Sequence, residues 1–155
     1  MSKPKEKGFH ERVTLRMLSY EDLPQILAID AKVGPHRGKE YWQKKFELAE
    51  NRPPMASIVA ELDGRVIGFV MGEVSGWEFG VPEDYAWLNI IGVDPQFQGM
   101  GVGRLLVEEL LHQFKMIGAT TVYTLVNWAD HQLIPFFARM GFGRGNLVNL
   151  ERKIG

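Results

Sequence analysis

The sequence predicts an α/β (α+β) domain on one mixed sheet flanked by helices, in the order β-α-α-β-β-β-α-β-α-β. Three stretches carry that prediction. In "ASIVAELDGRVIGFVMGEV" two β-rich runs meet at Asp63-Gly64, a strong hairpin signal. The run "YAWLNIIGV" is apolar on both faces at its middle, as a central strand is. After it, "GRLLVEELLHQFKMIG" repeats leucine and valine at helical spacing, stops at Gly118 and is followed by the β-branched "TTVYTLV". A meander that feeds a strand, a helix and another strand is neither a doubly wound parallel sheet nor a ferredoxin repeat.

The remaining elements follow along the chain. Residues 1–10 include Lys3, Lys5 and Lys7 and little to bury, which predicts a flexible lead-in, with order beginning near Glu11. "RVTLRML" alternates as a strand. "SYEDLPQILAID" places Ser19 at an N-cap with Asp22 three residues on, and Leu23, Ile26, Leu27 and Asp30 at helical spacing. "GKEYWQKKFELAE" sets Tyr41, Trp42, Phe46 and Leu48 to Ala49 along one side of a second helix, which "NRPP" ends. "SGWEFGVPED" reads as a loop, "DHQLIPFFARMG" as a short helix and "GNLVNLERKI" as a last strand. Residues 11–155 therefore read as a single domain without linker or repeat.

Composition narrows the function classes. With 155 residues, 45% hydrophobic and 24% charged, the chain is ordinary globular material. Its 18 Lys plus Arg nearly balance 19 Asp plus Glu, so no whole-chain field favours nucleic acid or an anionic membrane. No cysteine is present, which removes disulfides, thiolate metal sites and a cysteine nucleophile, and four scattered histidines do not restore a metal site. The basic N-terminus lacks the apolar core of a secretory signal, and no apolar run reaches the roughly 18 residues needed to cross a bilayer. A cytoplasmic enzyme or binding protein, monomeric or homodimeric, with no metal, is the expectation.

The chemistry concentrates in "VDPQFQGMGVGRLL", residues 93–106. A glycine-rich turn opening a helix aims backbone N–H groups at one point, and the helix dipole adds to them, so phosphate is the natural ligand. No Gly-Lys-Ser/Thr follows for a P-loop, and the dinucleotide spacing G-x-G-x-x-G fails at Leu106. The stretch matches Q/R-x-x-G-x-G/A through Gln98, Gly101 and Gly103, after a strand ending in Val-Asp-Pro. It resembles the acyl-CoA-binding motif of the GNAT superfamily of N-acetyltransferases. "RMLSYEDLPQILAID" resembles the opening of that superfamily. "WADHQLIPFFARMGF" resembles its last motif, particularly as written in the histone and protein-lysine branch. The resemblance spans residues 12–152, most specifically 88–104 and 128–142.

That resemblance implies a mostly antiparallel GNAT sheet and acetyl-CoA as cosubstrate. It implies that main chain around Gly92, at Ile91 and Val93, pairs with the pantetheine arm. The N–H groups of Gly99, Met100, Gly101, Val102, Gly103 and Arg104 would hold the pyrophosphate, with Gln98 positioning the loop. Asp130, His131, Phe136 and Phe137 would line the far wall of the thioester channel. The implied reaction is attack by an amine on the thioester, with the oxyanion held by a backbone N–H of the central strand.

Two positions depart from the superfamily pattern. Where many members carry a tyrosine acid, four residues before the Gly of the final Gly-Phe, this chain has Phe137, as the histone-acetylating branch does. That branch takes its base from a glutamate on the central strand, and the matching position here is Trp87. The base candidates are Glu83 and Asp84, then Glu73, with Asn89 as a water-holder. Between residues 73 and 84 stand Glu73, Glu78, Glu83 and Asp84 with no Lys or Arg, a loop that either attracts a cationic amine or simply faces water. Trp77, Phe79, Tyr85 and Trp87 wall an acceptor pocket or belong to the core, and Tyr123 reads as a strand residue with a wet hydroxyl. His131 reads as a capping or surface residue before a relay. The implied acceptor is a primary amine, a protein lysine before a polyamine, amino acid or antibiotic. A non-catalytic acyl-CoA sensor is the reading from another class.

Overall fold

The computed structural model describes residues 8–34, 37–51, 55–75 and 84–155. In chain order its elements are α1 (Phe9–Arg12), β1 (Val13–Met17), α2 (Leu23–Val33), α3 (Gly38–Asn51), β2 (Met55–Leu62), β3 (Arg65–Val74), β4 (Tyr85–Val93), α4 (Val102–Ile117), β5 (Thr121–Thr124) and α5 (Leu133–Arg139). Short 3-10 turns at Tyr20–Asp22 and Pro95–Phe97 lead out of β1 and β4. Two compact units divide the chain, the first running to Thr124 and the second from Leu125 to Gly155.

The first unit is built on a five-stranded sheet in the order β1-β2-β3-β4-β5. Its first three pairings are antiparallel and the last, β4 with β5, is parallel, the mixed sheet that the element order predicts. Asp63 and Gly64 turn the β2-β3 hairpin with φ of 50° and 80°, the left-handed pair a tight hairpin requires.

Each face of the sheet buries a different helix layer. On one side α2 and α3 contribute Leu23, Ile26, Ile29, Trp42 and Phe46 to a core completed by Phe69, Met71 and Ile90. Tyr41 and Leu48, expected on the same helical stripe, are 38% and 42% exposed, so the buried face of α3 is narrower than the sequence implies. On the other side α4 buries Val102, Leu106, Val107, Leu110 and Phe114 at helical spacing. Fully burying side chains of this size contributes about 1.5–3 kcal/mol each. The helix approaches β3 so closely that a Cβ at Gly72 would stand 2.6 Å from the Phe114 ring and 2.5 Å from the Trp87 carbonyl oxygen.

Buried carboxylates tie the layers together. Ser19 and Asp22 form the expected capping box, with the Ser19 N–H donating to Asp22 Oδ2 at 2.8 Å. Arg16 donates twice to Asp22, at 2.8 and 2.7 Å, and once to Glu61 at 2.6 Å, joining β1, β2 and the start of α2. Hydrogen bonding from Arg16 holds the Asp22 carboxyl below the usual carboxylate range, against its burial. At the other end of α2, Asp30 accepts from Trp42 Nε1 at 3.1 Å and from the Arg37 guanidinium at 2.5 Å, which docks α3.

Two elements differ from the sequence reading. Helix α1 begins at Phe9, two residues before the expected start of order at Glu11, and takes in Arg12, which reads as the start of a strand. No strand follows α5 among the described residues, although "GNLVNLERKI" has strand-like composition. Leu150 and Ile154 in that stretch are 90% and 100% exposed. A β-branched or apolar run becomes a strand only when a neighbouring edge satisfies its N–H and C=O groups, and that condition is not written locally.

Within the second unit, Asp130 Oδ1 accepts from the N–H groups of Gln132 and Leu133 at 3.1 and 2.9 Å and so starts α5. Gly141, with φ of 88°, ends it, and the Phe142 N–H donates to the Phe137 carbonyl at 3.0 Å, a Schellman closure. Phe137 is buried, edge-on to Phe136 and Phe142 at 5.1 Å from each.

Candidate active site

Strand β4 has two different edges. Its parallel pairing with β5 runs from Tyr85-Thr121 to Leu88-Thr124 and stops because β5 stops, whereas its pairing with β3 continues to Val93. Among the described residues, Asn89 to Val93 therefore keep one edge free of any strand. The strands part where β4 also bulges: Met71 pairs with Ile90 and Gly72 with Leu88, leaving Asn89 unmatched. The extra residue also changes the facing of β4. Leu88 pairs with Gly72, which faces α4, while Ile90 joins the α2-α3 core.

The free edge runs directly into the glycine loop, whose anchor is Asp94. This carboxylate is 2% exposed and accepts from the Gln96 N–H at 3.0 Å, from Arg65 at 2.9 Å and from Lys32 at 3.4 Å. Burial alone would raise the Asp94 pKa, but these partners outweigh it and hold the carboxyl below its ordinary range. Gln98 then folds back, its Nε2 donating to the Val93 carbonyl at 3.1 Å. Gly99 and Gly101 take φ of 76° and 87°, where a side chain would be strained. Gly101 is the N-cap of α4 and offers no side chain to the helix end, and no acidic residue stands in the first turn. The first main-chain helical bond from the cap is Leu105 N–H to Gly101 O, so the N–H groups before it have no acceptor within the helix and face outward with the positive end of the dipole.

Beside the bulge, Asn89 Nδ2 donates to Glu73 Oε1 at 3.4 Å, and Glu73 pairs across the sheet with Trp87. Trp87 stacks on Tyr123 at 5.0 Å and 30°, with Tyr85 5.3 Å from the same ring. Trp87 Nε1 donates to the Ser75 carbonyl at 2.8 Å, fixing the indole. Burial pushes the Lys45 ammonium on α3 down, while the charge of Glu73 pulls it the other way. Asp84 stands at the opposite end of β4, roughly 16 Å from Asn89 at about 3.3 Å per residue. Its carboxylate accepts from the Thr120 hydroxyl and its carbonyl from the Thr120 N–H, an attachment to the start of β5.

The profile of the acetyltransferase (GNAT) family matches residues 20–142. The chain belongs to that family. It is 28% identical over 142 residues to an uncharacterized N-acetyltransferase of Methanocaldococcus jannaschii, covering 87% of this chain and 62% of that protein, so it spans less than two thirds of that relative. It is 25% identical over 134 residues to the ribosomal protein bS18-alanine N-acetyltransferase of Salmonella typhimurium, covering 86% and 83%. An aminoglycoside N-acetyltransferase solved with a bisubstrate analogue of CoA superposes with a TM-score of 0.78 at 19% identity, over 92% of this chain and 99% of that one, a likeness of fold.

In this GNAT chain the structure brings Ile91, Gly92, Val93, Gln98 and the loop from Gly99 to Arg104 into one continuous track, and it brings Glu73 to Asn89. Glu83, Trp77, Glu78 and Phe79 lie outside the described residues. Asp130 is occupied in capping α5, and His131 is exposed. Three features of the site escape a reading by motif: the bulge at Asn89, the triple anchoring of Asp94, and Phe9 and His10 against the loop. The bulge depends on register and the anchoring on Lys32 and Arg65, distant in sequence. An open apolar depression of about 610 Å³ lined by Leu111, Phe114, Lys115 and Val122 lies at the far end of α4 from the glycine loop. No helix among the described residues is long and apolar enough to cross a membrane.

Proposed function

We propose that the protein transfers an acetyl group from acetyl-CoA to a cationic primary amine, with Glu73 and Asn89 at the reacting centre. The observation that carries this reading is the track in which the free β4 edge, opened by the bulge, runs without interruption into the glycine loop at the start of α4. Family membership supports CoA as the ligand of that track.

The residues present fit the two halves of CoA. Main-chain groups of Ile91 and Val93 on the open edge suit the amides of the pantetheine arm, which adds to the sheet as a strand does. N–H groups from Gly99 to Arg104, with the α4 dipole behind them, suit the pyrophosphate, and Gln98 and Asp94 keep the loop in shape for it. When bound, acetyl-CoA supplies an acyl group activated as a thioester. The main-chain N–H at the bulge is the oxyanion donor in this reading.

An alkyl ammonium of pKa about 10.4 is neutral in roughly one molecule per thousand at pH 7, so the amine must lose a proton before it attacks. Glu73 takes that proton, directly or through a water held by the Asn89 amide. The amine nitrogen adds to the thioester carbon, whose carbonyl electron pair moves to oxygen, and the return of that pair breaks the C–S bond so that the electron pair leaves on sulfur. A thiol of pKa about 8.5 leaves as thiolate without a side-chain acid, which makes Phe137 in place of a tyrosine compatible with turnover. Glu73 is preferred to Asp84 because it stands at the bulge while Asp84 is bound to Thr120 at the other end of the strand. Aromatic faces of Tyr85, Trp87 and Tyr123 beside a carboxylate suit an ammonium by cation–π attraction and charge together. A protein lysine is the preferred acceptor.

The test is CoA release from acetyl-CoA with lysine peptides, polyamines, amino acids and aminoglycosides. Acceptor-dependent release well above hydrolysis, strongest with lysine peptides, is the expected result. Tight acetyl-CoA binding with no acceptor-dependent release across the panel would establish the sensor reading instead.

A further inference from the structure

Helix α1 rests on the glycine loop. The Phe9 ring stacks on Phe97 with centroids 6.2 Å apart and planes 12° from parallel, and Phe97 also carries the Arg65 guanidinium at 5.7 Å. Since Arg65 is ion-paired to Asp94, the same network that anchors the loop anchors α1. The next side chain, His10, reaches the N-cap of α4: its Cε1 stands 2.8 Å from where a Cβ on Gly101 would be, with Nε2 at 3.6 Å and Nδ1 at 3.9 Å. Left-handed φ is thus one reason for glycine at 101, and the imidazole against it is a second. His10 is exposed, and among the described residues neither ring nitrogen makes a hydrogen bond.

We propose that His10 is a CoA-binding residue whose imidazole N–H donates to a phosphate oxygen of the CoA diphosphate held at the glycine loop. The inference rests on the reading of the loop as the diphosphate site. A diphosphate seated on the N–H groups around Gly101 lies within reach of a ring in van der Waals contact with Gly101, and an imidazole without another partner among the described residues supplies a side-chain donor beside the main-chain ones. Arg104, the nearest cation in the helix itself, is engaged by Glu108 at 2.9 Å. Phe9 acts as a positioning residue, since its stacking on Phe97 sets where His10 points.

Calorimetric titration of the full chain with CoA, dephospho-CoA and pantetheine tests this. His10→Ala should weaken CoA and dephospho-CoA about tenfold alike, in the range of a hydrogen bond to a charged group, and leave pantetheine unchanged. His10→Gln, which keeps an N–H donor, should recover most of the loss, and Phe9→Ala should weaken CoA in the same direction. Unchanged or tighter CoA binding by His10→Ala overturns the proposal. So does an equal loss for pantetheine, which would mark a general loosening of the loop. A loss confined to CoA and absent with dephospho-CoA would assign the ring to the 3′-phosphate and overturn the diphosphate contact. A wild-type chain that binds none of the three ligands overturns the cofactor reading itself, a different result from failure of His10 alone.

Discussion

Glu73 and Asn89 are sixteen residues apart in sequence and 3.4 Å apart in space, and the reaction proposed here turns on that pair. Removing the carboxylate charge while keeping its shape separates proton transfer from cofactor binding. Glu73→Gln should lower kcat by about 10²–10⁴-fold at neutral pH, with the Kd for CoA unchanged. Steady-state kinetics with parallel calorimetry check this, and full activity in the variant would remove Glu73 from the mechanism. Trp87 shows why the sequence leaves the base unassigned. It occupies the position where a related branch carries glutamate, and its indole is held against Ser75 and Tyr123 instead. In the proposed reaction the carboxylate comes instead from β3, the neighbouring strand, at the residue that pairs with Trp87.

Among the elements, α4 does most to join fold and site. Its N-terminus ends the glycine loop, and its buried stripe from Val102 to Phe114 presses on the sheet that carries β4. Phe114 is fully buried and packs against Gly72, beside the bulge. Phe114→Ala should destabilise the chain by about 3–5 kcal/mol, the cost of deleting a buried ring and leaving a cavity. Urea denaturation measures it. Because Gly72 is one of the two residues that frame the register shift, the same variant should also lower turnover in the fraction that stays folded. The β2-β3 hairpin, the capping box at Ser19 and the stop at Gly118 are legible in sequence because each is fixed by residues within one turn of one another. The final strand read from "GNLVNLERKI" is not observed because its partner edge is a property of the assembled sheet.

For the whole molecule, acid is the informative perturbation. Asp22 and Asp94 ionise more readily in the folded chain than in the unfolded one, through Arg16 in one case and through the Gln96 N–H, Lys32 and Arg65 in the other. Their contribution is therefore complete above the unfolded carboxyl value of about 3.9 and is lost as pH falls through the lower folded values. The urea midpoint should hold steady from pH 7 to about 5 and drop below about 4. Asp22→Asn should lower the midpoint at pH 7 and flatten the acid decline. A midpoint that falls already between pH 7 and 5 would show that other groups control acid stability.

By itself the sequence determined the family, the order of most elements and the glycine loop proposed to receive the diphosphate, because the signals for these are local: glycine spacing, helical periodicity and turn residues. Tertiary structure decided which carboxylate meets the bulge, which cations hold Asp94, and that the Phe9–His10 segment rests on the loop rather than trailing from it. Each of these joins residues on separate elements, and register and packing, which come only with the assembled sheet, set their distances.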